Sequence, residues 1–295
     1  MNPRPSPHLL GKLAQPWNVH PMGGATLRTF ALRGDIRAVQ DAFAHVGPER
    51  VVAMSRNAGG LWEMGEPYFD ARTDPHVRQS GVGVFPIRGE LLDVGWACWT
   101  GYDQIIGTAE AFGDQARAGK LRSVIMPVES PGGMCVGLGD ACEAIRWLRS
   151  LVPVEAVVDR YGFSAAQALM ASATRTHIPF DGALGSIGSI LEHQAIKRML
   201  EDMGIDTEVL HEGSEKANGH PALALSDAAR AEFQDMLRFF YEQFLQMVAA
   251  GRPGVSAEAA RATQARTFQG QNAVTAGLAD GIANYRQVLA AVEAG

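Results

Sequence analysis

The sequence predicts an α/β fold in which a mostly parallel sheet is flanked by helices. From Gly81 onward, short β-branched or apolar runs alternate with longer stretches of helical periodicity, and such strand–helix–strand units pair their strands in parallel. The strand-like runs are apolar along their whole length, as expected where helices cover both faces of a sheet. In addition, 295 residues of which 46% are hydrophobic can bury a sizeable core.

The expected elements follow one another along the chain. Strands are predicted over 82–87, 123–128, 154–158, 177–180 and 207–210, and helices over 102–118, 136–149, 164–173 and 192–203. The C-terminal part is predicted to be mainly helical. Its long helix begins at Ser226, a favourable N-cap, and continues with an apolar stripe formed by Phe233, Met236, Leu237, Phe240, Phe244 and Val248. That stripe suits core packing, and a subunit interface is the alternative.

Residues 1–80 are predicted to form an irregular N-terminal arm, separate from a domain over 81–295. Five prolines interrupt the start of the arm, a short helix is expected over 35–45, and the run over 57–80 has the composition of irregular structure. The arm carries a net charge of +2 and the remainder −8. This shift supports a boundary near Ser80.

Composition and motifs exclude several classes of function. The formal charge of −6 argues against nucleic-acid binding. The three cysteines, Cys98, Cys135 and Cys142, are too few for a disulfide framework and lack metal-ligand spacing. The sequence also has no nucleotide-binding glycine motif. For these two reasons, neither a metal nor a cofactor is expected. No targeting segment or membrane span is visible in the sequence, and a cytoplasmic location is expected.

The distribution of lysine bears on catalysis. Only four of the 26 basic residues are lysines, at Lys12, Lys120, Lys197 and Lys216. Arginine keeps its proton in proteins, so a site that needs a neutral amine has few candidates here. Lys12 lies in the arm, and Lys120 and Lys197 lie in or beside predicted helices where arginine would serve equally well.

Four segments carry residues suited to chemistry. In ESPGG at 129–133, glycines after a strand allow backbone N–H groups to converge on an oxyanion or a phosphate, although a plain tight turn has the same pattern. Ser164 begins a helix directly after a strand, which suits either an activated serine or a simple N-cap. The other two are the turn GSIG at 185–188 and the polar loop HEGSEKANGHP at 211–221.

Together these segments resemble the serine peptidases of the signal peptide peptidase A (SppA) type. The similarity is greatest to their phage and prophage branch, the head-maturation or minor capsid protein C proteases. It rests on SPGG at 130–133, FSAA at 163–166, MASA at 170–173, GSIG at 185–188, GSEKANGHP at 213–221, TFQG at 267–270 and AVTAGLAD at 273–280. The resemblance covers about 82–283 and implies a ClpP/crotonase-like fold with repeated ββα/βαβ units.

The resemblance also implies a Ser-Lys catalytic dyad. The family's nucleophile falls on Ser164, its general base on Lys216 and its lysine-orienting serine on Ser186. The oxyanion donors would be the N–H of Gly133, in a turn shaped by Gly132, and as a second candidate the N–H of Ala165. Gln167 and Ser189 differ from the residue types usual at their positions, and both are candidates for altering the substrate pocket.

Elementary chemistry sets a condition on this dyad. Lysine acts as a base only if burial and the absence of counter-charges lower its pKa from about 10.4 toward neutrality. Glu212 and Glu215, which flank Lys216, must therefore point away from it. Histidine is the competing base, and the candidates are His193, His177 and His211. Because nothing around His193 supplies an obvious carboxylate to orient its ring, Lys216 is preferred.

The predicted function is that of a serine endopeptidase that acts through an acyl-enzyme. The family implies processing of scaffold or capsid proteins in the host cytoplasm or the prohead, by a homo-oligomeric ring. One alternative is the degradation of cleaved signal peptides. Two others are a non-catalytic structural head protein of the same fold and an acyl-CoA enzyme of the crotonase type, whose chemistry would not need Ser164 and Lys216.

Overall fold

The computed structural model describes residues 75–94 and 100–294, together with the backbone of three short strands nearer the amino terminus. The strands are β1 (Trp17–Val19), β2 (Met54–Arg56), β3 (Trp62–Met64), β4 (His76–Val77), β5 (Val82–Val84), β6 (Ile87–Arg88), β7 (Leu91–Leu92), β8 (Thr100–Gly101), β9 (Ser123–Ser130), β10 (Gly132–Met134), β11 (Val154–Phe163), β12 (Arg175–Ile178), β13 (Ala183–Gly185), β14 (Thr267–Gln269) and β15 (Gly281–Ile282). The helices are α1 (Tyr102–Arg117), α2 (Leu138–Leu151), α3 (Ala165–Ala171), α4 (Lys197–Asp202), α5 (Asp227–Gly251), α6 (Ala257–Ala262), α7 (Gly270–Thr275) and α8 (Tyr285–Ala294).

A mostly parallel sheet organises the domain. Its main path is β14-β13-β11-β9-β5-β4, with β6 beside β9, and with β12 joining β11 to β15. The pairs β5–β9, β9–β11, β11–β12 and β11–β13 are all parallel, whereas the outer pairs β4–β5 and β13–β14 are antiparallel. A smaller sheet has the order β1-β10-β7-β8. The predicted α/β class is confirmed.

Helices bury both faces of the sheet. One face carries the larger core, where side chains of α1, α2, α3 and α5 pack on β9 and β11. On the other face, Val288 of α8 packs against Val82, Val84, Ile125 and Val157. Because β5 and most of β9 and β11 are buried from both sides, these strands are mainly apolar and do not alternate apolar with polar residues.

Helices α1, α2 and α5 agree with the sequence prediction to within about two residues at the ends compared, ordinary variation for helix termini. The Ser226 hydroxyl accepts a hydrogen bond from the Ala229 N–H at 3.1 Å, so the predicted N-cap is confirmed. The apolar stripe on α5 divides into two parts. Phe244 and Val248 are fully buried, whereas Phe233, Leu237 and Phe240 are only half-buried.

Several predicted elements need correction. The strand over 82–87 is interrupted between β5 and β6, at Phe85 and Pro86, where proline supplies no N–H. The strand predicted over 154–158 continues to Phe163, with a shift in its register against β9 after Val158. Its charged residues Asp159 and Arg160 are accommodated because they form ion pairs with Arg88 and Glu129. The helix over 192–203 shortens to α4.

The predicted strand over 207–210 is wrong. The structure has no regular secondary structure there, and Leu210 is 84% exposed. An apolar run forms a strand only where a neighbouring strand and a buried face are available, and neither is present.

Two short strands, β3 and β4, lie in the run over 57–80 that was predicted to be irregular. The backbone of β3 pairs with β2 in an antiparallel hairpin, and β1 pairs antiparallel with β10. The helix predicted over 35–45 falls outside the described residues. Within the described residues, no helix is both long enough and apolar enough to cross a membrane.

Candidate active site

Strand register brings three of the predicted motifs to one end of the sheet. Ser130, at the end of β9, pairs with Gly162 of β11. On the other side of β11, Phe163 pairs with Gly185 of β13. Because these three strands are parallel, their carboxyl ends meet, and the residues that follow them become neighbours. Ser164 therefore lies between the SPGG turn and the GSIG turn.

Ser164 has an uncommon backbone conformation. Its φ is 53° and its ψ −123°, directly before α3. A non-glycine residue in such a region costs about 1–3 kcal/mol and persists only where surrounding structure enforces it. Here the Ser164 N–H donates to the Gly185 carbonyl oxygen at 2.8 Å. The residue is 1% exposed, and its Oγ has no hydrogen-bond partner within the described residues.

The SPGG turn is shaped by its two glycines. Gly132 has a φ of +101°, which favours glycine, and its N–H donates to the Ser130 Oγ at 3.1 Å. At Gly133, a Cβ would lie 1.9 Å from the Leu91 carbonyl oxygen, so any side chain would displace backbone. Ala165, the first residue of α3, is fully buried and belongs to the helix start, where N–H groups lack intrahelical acceptors.

Ser186 is the second strained serine of the site. Its φ is 56°, its N–H donates to the Arg266 carbonyl oxygen at 2.9 Å, and it is 8% exposed. Gly185 precedes it with a φ of +112°, and a Cβ there would lie 2.6 Å from the same Arg266 oxygen. The GSIG turn is therefore held against β14 in a conformation that depends on Gly185.

Ion pairs to which the sequence analysis gave no role stabilise this end of the sheet. Glu129 forms ion pairs with Arg88 at 2.7 Å and with Arg160 at 2.5 Å, and Arg88 also contacts Asp159 at 3.0 Å. These pairs tie β6, β9 and β11 together. The sequence did contain a signal for these ion pairs, because Asp159 and Arg160 interrupt the apolar pattern of β11. Charged residues within a strand indicate that oppositely charged partners lie on neighbouring strands.

An open cleft of about 500 Å³ is lined by Arg88, Pro127, Asp159 and the residues at 284–286. Arg88 and Asp159 form one of the ion pairs just described. No residue proposed for catalysis lines the cleft. We therefore assign it no catalytic role.

In the single chain, the Lys216 amine makes no hydrogen bond to the Ser164 hydroxyl. It is exposed, in a segment over 203–226 without helix or strand, and its backbone N–H donates to the Gly213 carbonyl oxygen at 3.1 Å. Neither flanking carboxylate forms an ion pair with Lys216 within the described part of the chain. Instead, Glu215 accepts hydrogen bonds from Ser214 and from Asn218.

The segment that carries Lys216 is attached to α5. The Asn218 Nδ2 donates to the Glu232 carboxylate at 2.6 Å. Gly219 lies so close to Phe233 that a Cβ would approach the ring to 2.5 Å. Phe233 belongs to the half-buried part of the apolar stripe, and Glu232 is the exposed residue that precedes it.

The competing histidines are not placed to act as the base for Ser164. His177 is bonded to Glu155 at 2.8 Å and pairs with Val157 of β11, seven residues and thus roughly 23 Å along that strand from Ser164. His211 is exposed and bonded to the Gly213 carbonyl oxygen. The Nε2 of His193 has no partner within the described residues, and no carboxylate there is bonded to its ring.

The described cysteines have the character of core residues. Burial raises the pKa of Cys135 to about 12 and, as the largest effect, that of Cys142 to about 11. Thiols with such pKa values stay protonated and unreactive near neutral pH. Among the described residues, no group of three His, Cys, Asp or Glu side chains is arranged to hold a metal ion.

The geometry defines an α/β protein with a strained serine at the carboxyl end of a parallel sheet. Comparison with known proteins agrees with this class. A profile described as Peptidase family S49 matches residues 147–295, half of the sequence. The chain belongs to peptidase family S49.

Two phage proteins are among its relatives. The chain is 30% identical over 266 residues to the capsid assembly protease C of Escherichia phage lambda, a match that covers 88% of this chain and 56% of that protein. It is 31% identical over 211 residues to the head-tail preconnector protein GP5 of Enterobacteria phage P21, covering 70% and 41%. The chain thus spans about half the length of these curated relatives.

Solved structures with a similar course of the chain include a ClpP1 variant from Listeria monocytogenes. The TM-score is 0.42 at 13% identity, and the match covers 69% of this chain and 92% of that one. The family assignment rests on the family profile and does not depend on this likeness.

Proposed function

We propose that this protein is a serine endopeptidase in which Ser164 is the nucleophile and Lys216 the general base. The observation that carries the proposal is the state of Ser164. It is buried, held in a strained conformation by the Gly185 carbonyl, and its hydroxyl is left without a partner. Buried hydroxyls in native proteins are nearly always hydrogen-bonded, so one without a partner calls for an explanation, and a catalytic role is one.

The reaction follows the acyl-enzyme route. Ser164 Oγ attacks the scissile carbonyl carbon while the neutral Lys216 amine takes the hydroxyl proton. The N–H groups of Gly133 and Ala165 donate to the oxygen that becomes negative. Lys216 then gives the proton to the departing amine, and the C–N bond breaks. Water attacks the resulting ester with the same lysine as base, which releases the acid and restores Ser164.

The base must approach the nucleophile, and we propose that a second copy of the chain supplies it. Lys216 is exposed in one copy, and its segment is fixed to the part of α5 whose apolar residues are only half-buried. Covering that surface with a neighbouring copy would bury the amine, and desolvation favours the neutral amine that acts as the base. Repeating a contact of this head-to-tail kind forms a ring when the rotation between neighbouring copies closes.

The substrates we propose are scaffold or capsid proteins of a phage head, cleaved in the prohead or the host cytoplasm. Two relatives bear names of head assembly, one as a capsid assembly protease and one as a head-tail preconnector. A ring that presents its sites to confined structural proteins fits that task.

Replacement of Ser164 by alanine tests the proposal. The chain would be co-expressed with candidate capsid and scaffold proteins, and the products identified by mass spectrometry. We expect wild type to cleave and Ser164→Ala to leave every product intact, with an unchanged circular dichroism spectrum. A fluorophosphonate probe should label wild type at Ser164 alone. Equal cleavage by both proteins would overturn the proposal.

A non-catalytic head protein with this fold is the second candidate. The separation of Ser164 from Lys216 in the single chain favours it. Failure of the probe to label Ser164 in assembled particles, together with intact capsid proteins, would decide for this candidate.

A further inference from the structure

Gln167 is the one polar side chain in a helix that is otherwise apolar. Helix α3 has the sequence AAQALMA, and each of its residues is at most 1% exposed. Removing an amide from water is unfavourable unless the amide gains hydrogen bonds in the folded protein. A leucine or methionine would fill the same space without that cost. The presence of glutamine therefore calls for a partner.

Local structure does not provide that partner. Ser164 and Gln167 have the spacing of a capping box, in which a glutamine side chain bonds the N-cap N–H. Here the Ser164 N–H donates to Gly185 instead, so that N–H is already engaged. Neither Oε1 nor Nε2 of Gln167 has a hydrogen-bond partner within the described residues. Nearly all buried polar side chains in native proteins are bonded, so this amide calls for a partner that the described residues do not supply.

The position of Gln167 relative to Ser164 points to a group of the substrate as that partner. Residues three apart lie on one side of a helix, and Ser164, three residues earlier, is the other buried group of α3 and its N-cap with an unsatisfied polar atom. During attack, the substrate residue nearest to Ser164 is the one that supplies the scissile carbonyl. Its side chain is therefore the substrate group best placed to reach the amide.

We propose that Gln167 determines specificity by binding a polar, uncharged side chain on the residue that supplies the scissile carbonyl. This inference rests on the proposed peptidase function. A carboxamide offers both a donor and an acceptor, which glutamine, asparagine, serine and threonine can match. It offers no charge to balance an aspartate or a lysine. An apolar side chain would leave it unsatisfied, and sites built to hydrogen-bond a substrate reject such analogues strongly.

Paired peptides test the proposal. The two peptides would share the flanking residues of a site that the wild type cleaves, and would differ only in Gln or Met at the residue before the cleaved bond. We expect the wild type to favour the Gln peptide by at least ~10-fold in kcat/KM, and Gln167→Met to favour the Met peptide. Leu169→Met, in the same buried helix, is the control and should keep the wild-type ratio.

The ratio of the two kcat/KM values does not depend on how much enzyme is active, so partial misfolding leaves it unchanged. A ratio for Gln167→Met within twofold of wild type would overturn the role of Gln167 while leaving the peptidase proposal intact. No cleavage of either peptide by wild type, together with an unlabelled Ser164, would instead overturn the peptidase function.

Thermal unfolding gives a second readout that needs no activity. In the Ser164→Ala background, an amide prepared for a ligand predicts that Gln167→Met raises Tm, because an unsatisfied buried group is removed. A fall in Tm would mean that the amide has a structural partner in the folded chain, and that result would also overturn the proposal.

Discussion

The two residues of the proposed dyad lie in regions that differ in almost every structural respect. Ser164 is at the centre of the domain, between parallel strands, fully buried and fixed by a backbone hydrogen bond. Lys216 is on an exposed segment without helix or strand. The nucleophile is therefore prepared by the fold of one chain, whereas the base still needs an environment that removes it from water.

This difference indicates how activity could be controlled. A nucleophile without its base is inactive, so a monomer would be harmless to the cell that makes it. Attachment of the Lys216 segment to α5, through Asn218 and Glu232, links the base to the surface that we propose as the contact between copies. Assembly would then switch on cleavage.

The largest effect is expected from replacing the base. Lys216→Arg keeps the positive charge but cannot yield a neutral amine, so kcat should fall by at least ~10³-fold. Lys120→Arg, at an exposed position, should be indistinguishable from wild type. Both would be measured with the peptide substrates described above. Activity in Lys216→Arg above a tenth of wild type would assign the base to another residue.

A somewhat smaller effect is expected in the oxyanion turn. Gly133→Ala would place a Cβ against the Leu91 carbonyl oxygen and shift the turn, and losing one oxyanion donor costs about 10²–10³ in kcat. Gly139→Ala is the matched control, because no atom lies within 4 Å of its Cβ. If both variants kept wild-type kcat, the turn would have no part in catalysis.

Mixing two inactive variants tests whether copies share a site. Ser164→Ala and Lys216→Arg would be mixed in equal amounts, unfolded together and refolded. Contacts between neighbours would then combine an intact serine with an intact lysine in roughly a quarter of cases, and activity should return to that level. If each chain completed its own site, the mixture would stay inactive, and light scattering would show whether rings had formed.

The smallest effect concerns stability at the opposite end of β11. Burial by itself raises the pKa of Glu155, but hydrogen bonds from His177 and Arg175 outweigh it and hold the pKa below its usual value. A lowered pKa stabilises the fold above the unfolded-state pKa of about 4.3, and this contribution is lost as the pH falls through the folded-state pKa.

Glu155→Gln should therefore lower the free energy of unfolding at pH 7 by about 1–3 kcal/mol and weaken the dependence of Tm on pH between about 5 and 3. Activity should be unaffected, since Glu155 is remote from Ser164. Glu110→Gln, at an exposed position, is the control. An unchanged pH dependence of Tm would show that the Glu155 network does not stabilise the fold.

The sequence by itself was sufficient for the α/β class, for the order of β5, α1, β9, α2, β11, α3, β12, α4 and α5, and for naming the segments of the candidate site, but it did not predict β10 and β13. These features depend on local periodicity, on caps such as Ser226 and on glycines at sharp turns. Each of these is determined by residues that are close together in the sequence. The strand predicted over 207–210 failed for the converse reason, because a strand requires a partner that no local pattern supplies.

Only the tertiary structure decided which groups meet. The register of β11 with β9 and β13 places Ser130, Ser164 and Ser186 at one end of the sheet, and pairing between distant strands is not a local property. The structure likewise revealed that the amide of Gln167 is unsatisfied and that Lys216 is exposed. Burial depends on everything that surrounds a residue, so it follows from the fold and not from the residue's own segment.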